Sequence, residues 1–551
     1  MRRALHACAV TIAMVAVLLA VPVHRDAAVA AEPIPMPAVP ADSLVDAYGL
    51  GIHTPFLDTP YADAERVADA LEDLGVRHVR DDLFLDADLR INARQAQAIR
   101  TIADRGVTFN LIMGRPDRPG SPEDYVRAVT QLPAGAVTSV EGINEWDHFG
   151  PDGAWVLQLA DWQARLYASI KTTPETRGLP VLSPALAFRN NYGLLPDLSP
   201  FSDVANVHIY PGGKRPGTEE RNVVRALLAV LDRKPLVTTE TGYHNALNAL
   251  PNVHRPVSER AAALYHPRLL LEHVQRGHLR TYAYELIDSV PEPFNARVNP
   301  ESHFGLLRRD WSPKPAYTAM KTLLGLLDDP GPAFTPKPLE LARVAKGWPG
   351  DGRWMVTQKR DGTYVLLGYR DVDVWDTTAN RDLPLEPSRV TLDFTRDYGI
   401  TVHRVSEGAE PVSSSVGSSV EFDLDGGVTA ITLDPDPQST SDPQPSPDPE
   451  PTPDPEPEPV ANPAKAPTRP GAVTTVTRGK RVAVRWRAAR PRGSAVDRYR
   501  VRLGKQVKVV GGKQRRVVFR GVRRDVRLLV AVRARNDVGW GAPRRVWRPA
   551  R

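Results

Sequence analysis

Two glutamates stand out by their neighbours. Glu145 lies in Asn144-Glu145-Trp146, and Glu240 in Thr239-Glu240-Thr241-Gly242-Tyr243-His244. Two carboxyls brought to one place divide labour when their surroundings differ: the protonated one gives its proton to a leaving oxygen, and the ionised one attacks a carbon. Cleavage of a glycosidic bond needs that pair. Between them in sequence lies His208-x-Tyr210. The Tyr210 phenol is suited to donate to Glu240 and keep it ionised. His208 either joins the site or only buttresses the fold. Arg80 either adds positive potential or forms a structural ion pair with Asp81 and Asp82. Asn144 is suited to hold the 2-hydroxyl of a reacting sugar. Trp146, Tyr243, Tyr284 and Trp311 offer flat apolar faces for sugar rings, whereas Trp155 and Trp162, seven residues apart, read as helix packing. Glu285 places a third carboxylate near the site, either touching sugar hydroxyls or standing behind the contact layer. The histidines are scattered without metal-ligand spacing, so neither a metal nor a cofactor is expected.

These side chains need a frame. Residues 46–327 alternate short β runs with helical patterns, the mark of a parallel sheet with crossover helices. The strand candidates are Gly49–His53, His78–Arg80, Thr108–Met113, Val140–Asn144, Val181–Ser183, Val204–His208, Leu236–Thr239 and Thr281–Tyr284. In 64–74, Val67, Ala70, Leu71 and Leu74 recur at the helical period, and 162–170 and 221–231 behave likewise. Eight such units predict a (β/α)8 barrel over 46–330. The competing doubly wound sheet normally carries a Gly-rich loop after its first strand, and none is present. In the barrel, Glu145 follows the fourth strand and Glu240 the seventh, so both reach the carboxyl-end mouth from opposite sides.

Past the barrel, 331–435 loses helical periodicity and reads as a β-sandwich, with candidate strands at Trp354–Thr357, Thr363–Tyr369, Val390–Phe394, Thr401–Val405, Val420–Leu424 and Thr429–Leu433. Asp361-Gly362 supplies turn chemistry. Residues 436–466 form an acidic Pro-rich linker: 436–460 hold ten prolines and seven acidic residues without Lys or Arg. From 461 onward, 27 Lys and Arg face three Asp, a net of +24. With +6 for the whole chain, everything upstream is about −18. The basic charge therefore belongs to one terminal module over 467–551. It serves either to tether an anionic cell-wall polymer or as a spacer of Arg-biased composition; export argues against nucleic acid as its partner.

At the start, Arg2 and Arg3, an apolar run from Ala9 to Val23 and Ala28-Val29-Ala30 make a secretory signal peptide cleaved near Ala30, too short for a membrane anchor. The one cysteine, Cys8, leaves with it, which excludes a disulfide framework. A secreted, extracellular monomer without a transmembrane anchor is expected.

The set Asn144-Glu145, His208-x-Tyr210 and Thr239-Glu240, on the fourth, sixth and seventh strands, resembles the retaining glycoside hydrolases of clan A, which include cellulase-like (β/α)8 families. The segment from His303 to Tyr317 is similar to that clan's closing segment. The resemblance implies Glu145 as acid/base, Glu240 as nucleophile, Asn144, His208 and Tyr210 in support, and retention through a covalent glycosyl-enzyme. The chain departs from the clan at Tyr284-Glu285, where many members place a Trp, and an extra anion there disfavours uronic acids. In the terminal module, the run from Val532 to Gly541 and the position of Trp486 resemble fibronectin type III domains, with Leu528 where their corner Tyr usually stands. Function follows as a secreted retaining glycosidase. The alternative is a non-catalytic glycan-binding or cell-wall-associated protein on a glycosidase-like barrel.

Overall fold

The computed structural model describes residues 32–436 and 467–548, apart from 219, 232–233, 250–253, 294–295, 472, 492–493, 505, 524–527, 537–540 and 542. The leader, the linker and the Asp537–Trp540 part of the fibronectin-like run lie outside the described residues. No helix among the described residues is long and apolar enough to cross a membrane. The chain divides into two units, Met1–Pro443 and Gln444–Arg551.

The first unit is built on eight parallel strands: Tyr48–Gly51, His78–Asp82, Thr108–Ile112, Val137–Glu141, Val181–Leu182, Ala205–His208, Leu236–Thr241 and His278–Ala283. Each pairs with its sequence neighbours, the first pairs with the eighth, and a parallel bridge between Leu182 and Val204 joins the fifth to the sixth. The ring is a (β/α)8 barrel. Local chemistry sets its helices. Asp63 accepts from the Arg66 N–H to start the helix Ala64–Leu74, and Gly75, at φ 82°, ends it in the left-handed region that glycine enters without penalty. Ser121 and Asp124 form a capping box on Pro122–Val129. Val67, Ala68, Leu71 and Leu74 are buried, the face that the 3.6 period indicates.

The helix Glu259–Gln275 shows no such stripe. Every residue from Ala261 to His273 is buried, because a second layer covers its outer side. That layer is the β-rich region. Tyr364–Arg370 lies inside its sheet, between Gly352–Gln358 and Thr429–Asp434: Leu366 enters one core with Leu392, Phe422 and Ile431, while Val365, Leu367 and Tyr369 join the barrel core. Arg268 seals the junction, donating to the Val372 and Gly426 carbonyls.

Two features of this region differ from expectation. Val390–Phe394 and Thr401–Val405 are not separate strands but parts of one, Ser388–Arg404, bent at a register shift between Asp393 and Tyr398. Its two ends pair with different neighbours, so two sheets are continuous through one strand. The layer also recruits residues from before the barrel: Ile34–Met36 pairs antiparallel with Leu339–Leu341, and Ala38–Pro40 parallel with Gly352–Gln358. These short edge strands carry too little periodicity to be read locally.

The second unit packs a three-stranded sheet (Val473–Arg478, Arg481–Trp486, Arg516–Phe519) and a four-stranded sheet (Gln506–Gly511, Arg498–Leu503, Leu528–Arg535, Arg544–Arg548, in spatial order) around one core. Val482, Val484, Trp486, Tyr499, Val501, Val530 and Val532 fill it. The strict alternation with arginine puts the apolar set inside and the guanidinium set outside.

Candidate active site

The barrel's interior carries a chain of polar side chains toward its mouth. Glu141, at the end of the fourth strand, is 1% exposed. It accepts from Arg80 Nε at 2.5 Å, Asn206 Nδ2 at 2.9 Å and Asn110 Nδ2 at 3.2 Å. A carboxylate so buried requires a cation, and Arg80 supplies it. The remaining Arg80 edges point upward: Nη1 donates to Glu240 Oε1 at 2.6 Å and Nη2 to Asn144 Oδ1 at 2.5 Å. Of the two roles open to Arg80, an ion pair with Asp81 or Asp82 is not what forms. Asp81 instead accepts from Thr54, and burial, the main cause, pushes its carboxyl up to about 8. Because Arg80 holds Oδ1 of Asn144, the amide N–H groups of that side chain remain for another partner.

Glu240 lies inside the seventh strand, and its other oxygen accepts from Tyr210 at 2.9 Å. Burial pushes Glu240 up. The positive charges of His208 and Arg80, with hydrogen bonds from Tyr210 and Arg80, outweigh burial and hold it down at about 2. Glu145 arrives differently. It stands at φ 46°, ψ 42°, with its N–H donating to the Ala185 carbonyl. That left-handed turn starts the short helix Trp146–Phe149 and sends successive side chains apart. Glu145 enters the cavity. Trp146 enters the core at 2% exposure and donates from Nε1 to Gln158.

His208 ends the sixth strand between the two acids. Its Nδ1 is 2.7 Å from Glu145 Oε1 and 3.5 Å from Glu240 Oε2, and its Nε2 is 3.1 Å from Thr239 Oγ1. Thr239 donates its own proton to Asn206, so it accepts from His208 Nε2–H. Burial lowers the basicity of His208, but Glu240 and Glu145 raise it further, and the net shift is upward. The donor atoms of Glu145, His208 and Glu240 all lie within 4.8 Å of one another. This trio has the residue types to hold a cation. Arg80 already occupies Glu240, however, and both imidazole nitrogens face partners, so the positive charge a metal would bring is in place.

The cavity above these residues has a volume of about 1130 Å³. Arg80, Asn144, Glu145, His208, Tyr210, Glu240 and Tyr284 line it. Tyr284 donates to Glu301 Oε2 at 3.0 Å and stands edge-on to His53 and Phe304. Tyr210 packs on His254, whose carbonyl accepts from His244 Nε2; burial pushes His244 down to about 4, and its unprotonated Nδ1 accepts from the Ala246 N–H at 3.3 Å.

Four residues expected at the sugar are elsewhere. Trp146 is core, as above. Tyr243 is 2% exposed, stacks on Tyr265 and donates to the Lys214 carbonyl. Glu285 is fully buried, accepting from Tyr61 at 2.9 Å and Ser289 at 3.4 Å with His53 Nε2 at 3.2 Å. It stands behind Tyr284, which removes the ground for excluding uronic acids. Trp311 stacks under the Arg66 guanidinium, outside the cavity. Conversely, Glu141, Glu301, Phe149 and Phe188 escaped the sequence reading. Glu141 had a signal, a charged residue within the β run that precedes Asn144. Glu301 had none. Partial desolvation, with the charges of Glu285 and Glu240, pushes Glu301 up to about 7 against the hydrogen bond from Tyr284.

No protein-family model matches the chain, and no curated protein does. Among solved structures, it is similar to a family 39 glycoside hydrolase from Xanthomonas axonopodis pv. citri at 15% identity, covering 75% of this chain and 99% of that one with a TM-score of 0.49. It is similar to a monomeric beta-xylosidase from Caulobacter crescentus at 14% identity, covering 73% and 98%, with a TM-score of 0.49. A beta-glucuronidase from Parabacteroides merdae matches at 12% identity over 92% of this chain and 61% of its own, with a TM-score of 0.36. The barrel itself is established by the strand register described above.

Proposed function

We propose that the protein is a secreted retaining glycoside hydrolase that cleaves O-glycosidic bonds of a polysaccharide or oligosaccharide by double displacement. One observation carries the reading. Two carboxylates whose oxygens approach within 4.8 Å have opposite surroundings, one bound by Arg80 and Tyr210 and the other facing an imidazole. Such closeness suits nucleophilic attack by a carboxylate, whereas inversion needs roughly 6.5–9.5 Å to seat a water.

Glu240 attacks the anomeric carbon. The bond to the leaving oxygen breaks as Glu145 delivers its proton there, from the contact it shares with His208 Nδ1. Esterification removes the negative charge 3.5 Å from that imidazole. The His208–Glu145 pair thereby becomes less basic, and Glu145, now ionised, takes the proton of the water that hydrolyses the ester. The free Asn144 amide is suited to the sugar 2-hydroxyl. Tyr284 and Phe304 offer rings beneath it.

The modular part of the proposal comprises a signal peptide over 1–30, a catalytic barrel over 46–330, a β-sandwich over 331–435, a linker over 436–466 and a fibronectin type III-like module over 467–551. Two sheets of three and four strands around Trp486 support the last assignment.

The test is a screen of purified protein against polysaccharides and aryl glycosides, with two variants. Glu240→Gln is expected to lose about 10⁴-fold or more in turnover. Glu145→Gln is expected to lose about 10²–10⁴-fold on natural glycans but to keep activity on aryl glycosides, whose leaving groups need no proton. Wild-type turnover in both variants would overturn the reading. Glycan binding without turnover by the wild type would leave the non-catalytic alternative.

A further inference from the structure

The cavity has an aromatic side that the reaction centre does not use. Phe149 and Phe188 are 50% and 46% exposed, and both line the cavity. His148 meets the two rings edge-on, with centroids 4.7 Å from Phe149 and 5.7 Å from Phe188. A single exposed phenylalanine asks for no explanation, but three rings gathered on one wall of a cavity form an apolar patch of the kind that meets a ligand.

The patch is held in place from two loops. Phe149 closes the short helix Trp146–Phe149, and its N–H donates to the Glu145 carbonyl at 3.3 Å, so it follows Glu145 by one helical turn. The Arg115 guanidinium lies over the Phe149 ring, 5.0 Å from its centroid, and Asp117 anchors that arginine at 2.8 Å. Phe188 belongs to the loop after the fifth strand. Asp147, from the short helix, accepts from the backbone N–H groups of Ala187 at 2.9 Å and Phe188 at 3.0 Å, and from Asn191 Nδ2 at 3.0 Å. One carboxylate thus ties the Phe188 loop to the helix that carries Phe149. The same helix turns Trp146 into the core and leaves Phe149 at the cavity.

The position of Glu145 decides what this wall meets. An acid that gives its proton to the leaving oxygen has the leaving group on its own side, and the side that continues from Glu145 is the aromatic one. We infer that Phe149 and Phe188, with His148, form the platform for the sugar ring that carries the leaving oxygen, stacking on its C–H face. The inference rests on the glycosidase reading with Glu145 as acid/base. A sugar is favoured over an aryl leaving group because Asn190 lines the same wall, two residues from Phe188, and its amide both donates to and accepts from hydroxyls. The cavity volume of about 1130 Å³ exceeds the roughly 300–1,000 Å³ of small-ligand sites, which leaves room for sugars on both sides of the bond.

The experiment compares three kinds of leaving group on the full chain. Cellohexaose, xylohexaose and laminarihexaose leave as sugars, phenyl β-glucoside and phenyl β-xyloside as an aryl ring, and β-glucosyl and β-xylosyl fluoride as an ion with no ring to stack. The variants are F149A/F188A and each of its single changes, F149Y/F188Y, which keeps both flat faces, and L157S, which removes an apolar side chain 75% exposed and outside the cavity lining. Each must keep the wild-type melting transition, and the single changes stand in if the double change lowers it. The readout is the ratio of kcat/KM on the best-cleaved hexaose to kcat/KM on the fluoride. The ratio is expected to fall about 10-fold or more in F149A/F188A, to return to within about 3-fold of wild type in F149Y/F188Y, and to stay within about 2-fold in L157S. An unchanged ratio in F149A/F188A, or an equal fall in L157S, would overturn the platform. A larger loss on the phenyl glycosides than on the hexaose, or hydrolysis of the fluorides without any hexaose, would overturn the sugar as its occupant. If the wild type cleaves none of these substrates, the catalytic reading fails, and calorimetric titration of the hexaoses decides the platform alone: binding weaker by about 10-fold or more in F149A/F188A upholds it, and equal or absent binding overturns it.

Discussion

Arg80 and Arg500 both project from β-strands, and each meets another charged group at close quarters. Arg80 is 5% exposed and meets carboxylates on two edges, Glu141 below and Glu240 above. Arg500 is exposed and meets another arginine. In the barrel, positive charge is matched and desolvated, so it shapes the titration of its neighbours. In the terminal sandwich, it lies at the surface beside a like charge, where water and salt screen the repulsion. A buried charge needs a partner within its own fold, whereas an exposed one is solvated by water and screened by salt. The same residue type thus organises a buried polar cluster in one unit and faces solvent in the other.

The contrast breaks most sharply at Arg80. Arg80→Met removes the cation from two carboxylates at once. Glu141 is left buried without its counter-charge, which costs about 3–5 kcal/mol of folding stability. Glu240 loses one of the influences that hold it near pH 2, so the acid limb of the pH–rate profile rises. Turnover is expected to fall by about 10³-fold or more, through loss of both position and charge at the nucleophile. Denaturant unfolding and kcat/KM on an aryl glycoside measure the two losses. A variant with wild-type stability would mean that Glu141 finds another partner.

A milder test reads the cavity mouth. Glu301 titrates near 7, so it is neutral below that pH and anionic above it. Its folded pKa is raised, so its carboxyl opposes folding as pH climbs from the ordinary value near 4.5 through 7. It also places a negative charge beside the substrate over the upper part of that range. KM is expected to shift several-fold across pH 7, most for an anionic substrate, and Glu301→Gln should abolish that inflection while leaving kcat within a few-fold. Persistence of the inflection in the variant would assign it to another group, His53 being the imidazole whose charge acts on Glu301.

How far these groups were legible beforehand depends on distance along the chain. Strand ends are local features, so Glu145, Glu240 and the Tyr210 phenol were placed at one mouth by counting βα units, and the Tyr210 contact forms as anticipated. Trp146 was misplaced because its direction depends on one residue, Glu145, adopting the left-handed region; nothing in Asn144-Glu145-Trp146 announces that turn. Glu285 was misplaced for a related reason. It follows a cavity-lining tyrosine, and a neighbour one position on points the other way, into Tyr61 and His53. Arg80 was identified, but its true partner Glu141 comes from a different strand, and cross-strand pairing inside a barrel leaves no trace in either segment. The edge strands near residue 35 are the extreme case, being paired with strands some 300 residues away.

The smallest expected effect is the most diagnostic, because its sign is opposite to that at Arg80. Arg500→Thr removes one member of a like-charged cross-strand pair and substitutes a residue that strands favour. The terminal sandwich should become more stable by a few tenths to about 1 kcal/mol, and the gain should shrink as salt rises, because screening already weakens the repulsion it relieves. Hydrogen exchange of amides in Arg498–Leu503 and Leu528–Arg535, followed in the full chain at low and high ionic strength, isolates this unit from the rest. A loss of protection in Arg500→Thr would mean that Arg500 holds the sheet together through contacts of its own, and the contrast in sign with Arg80 would collapse.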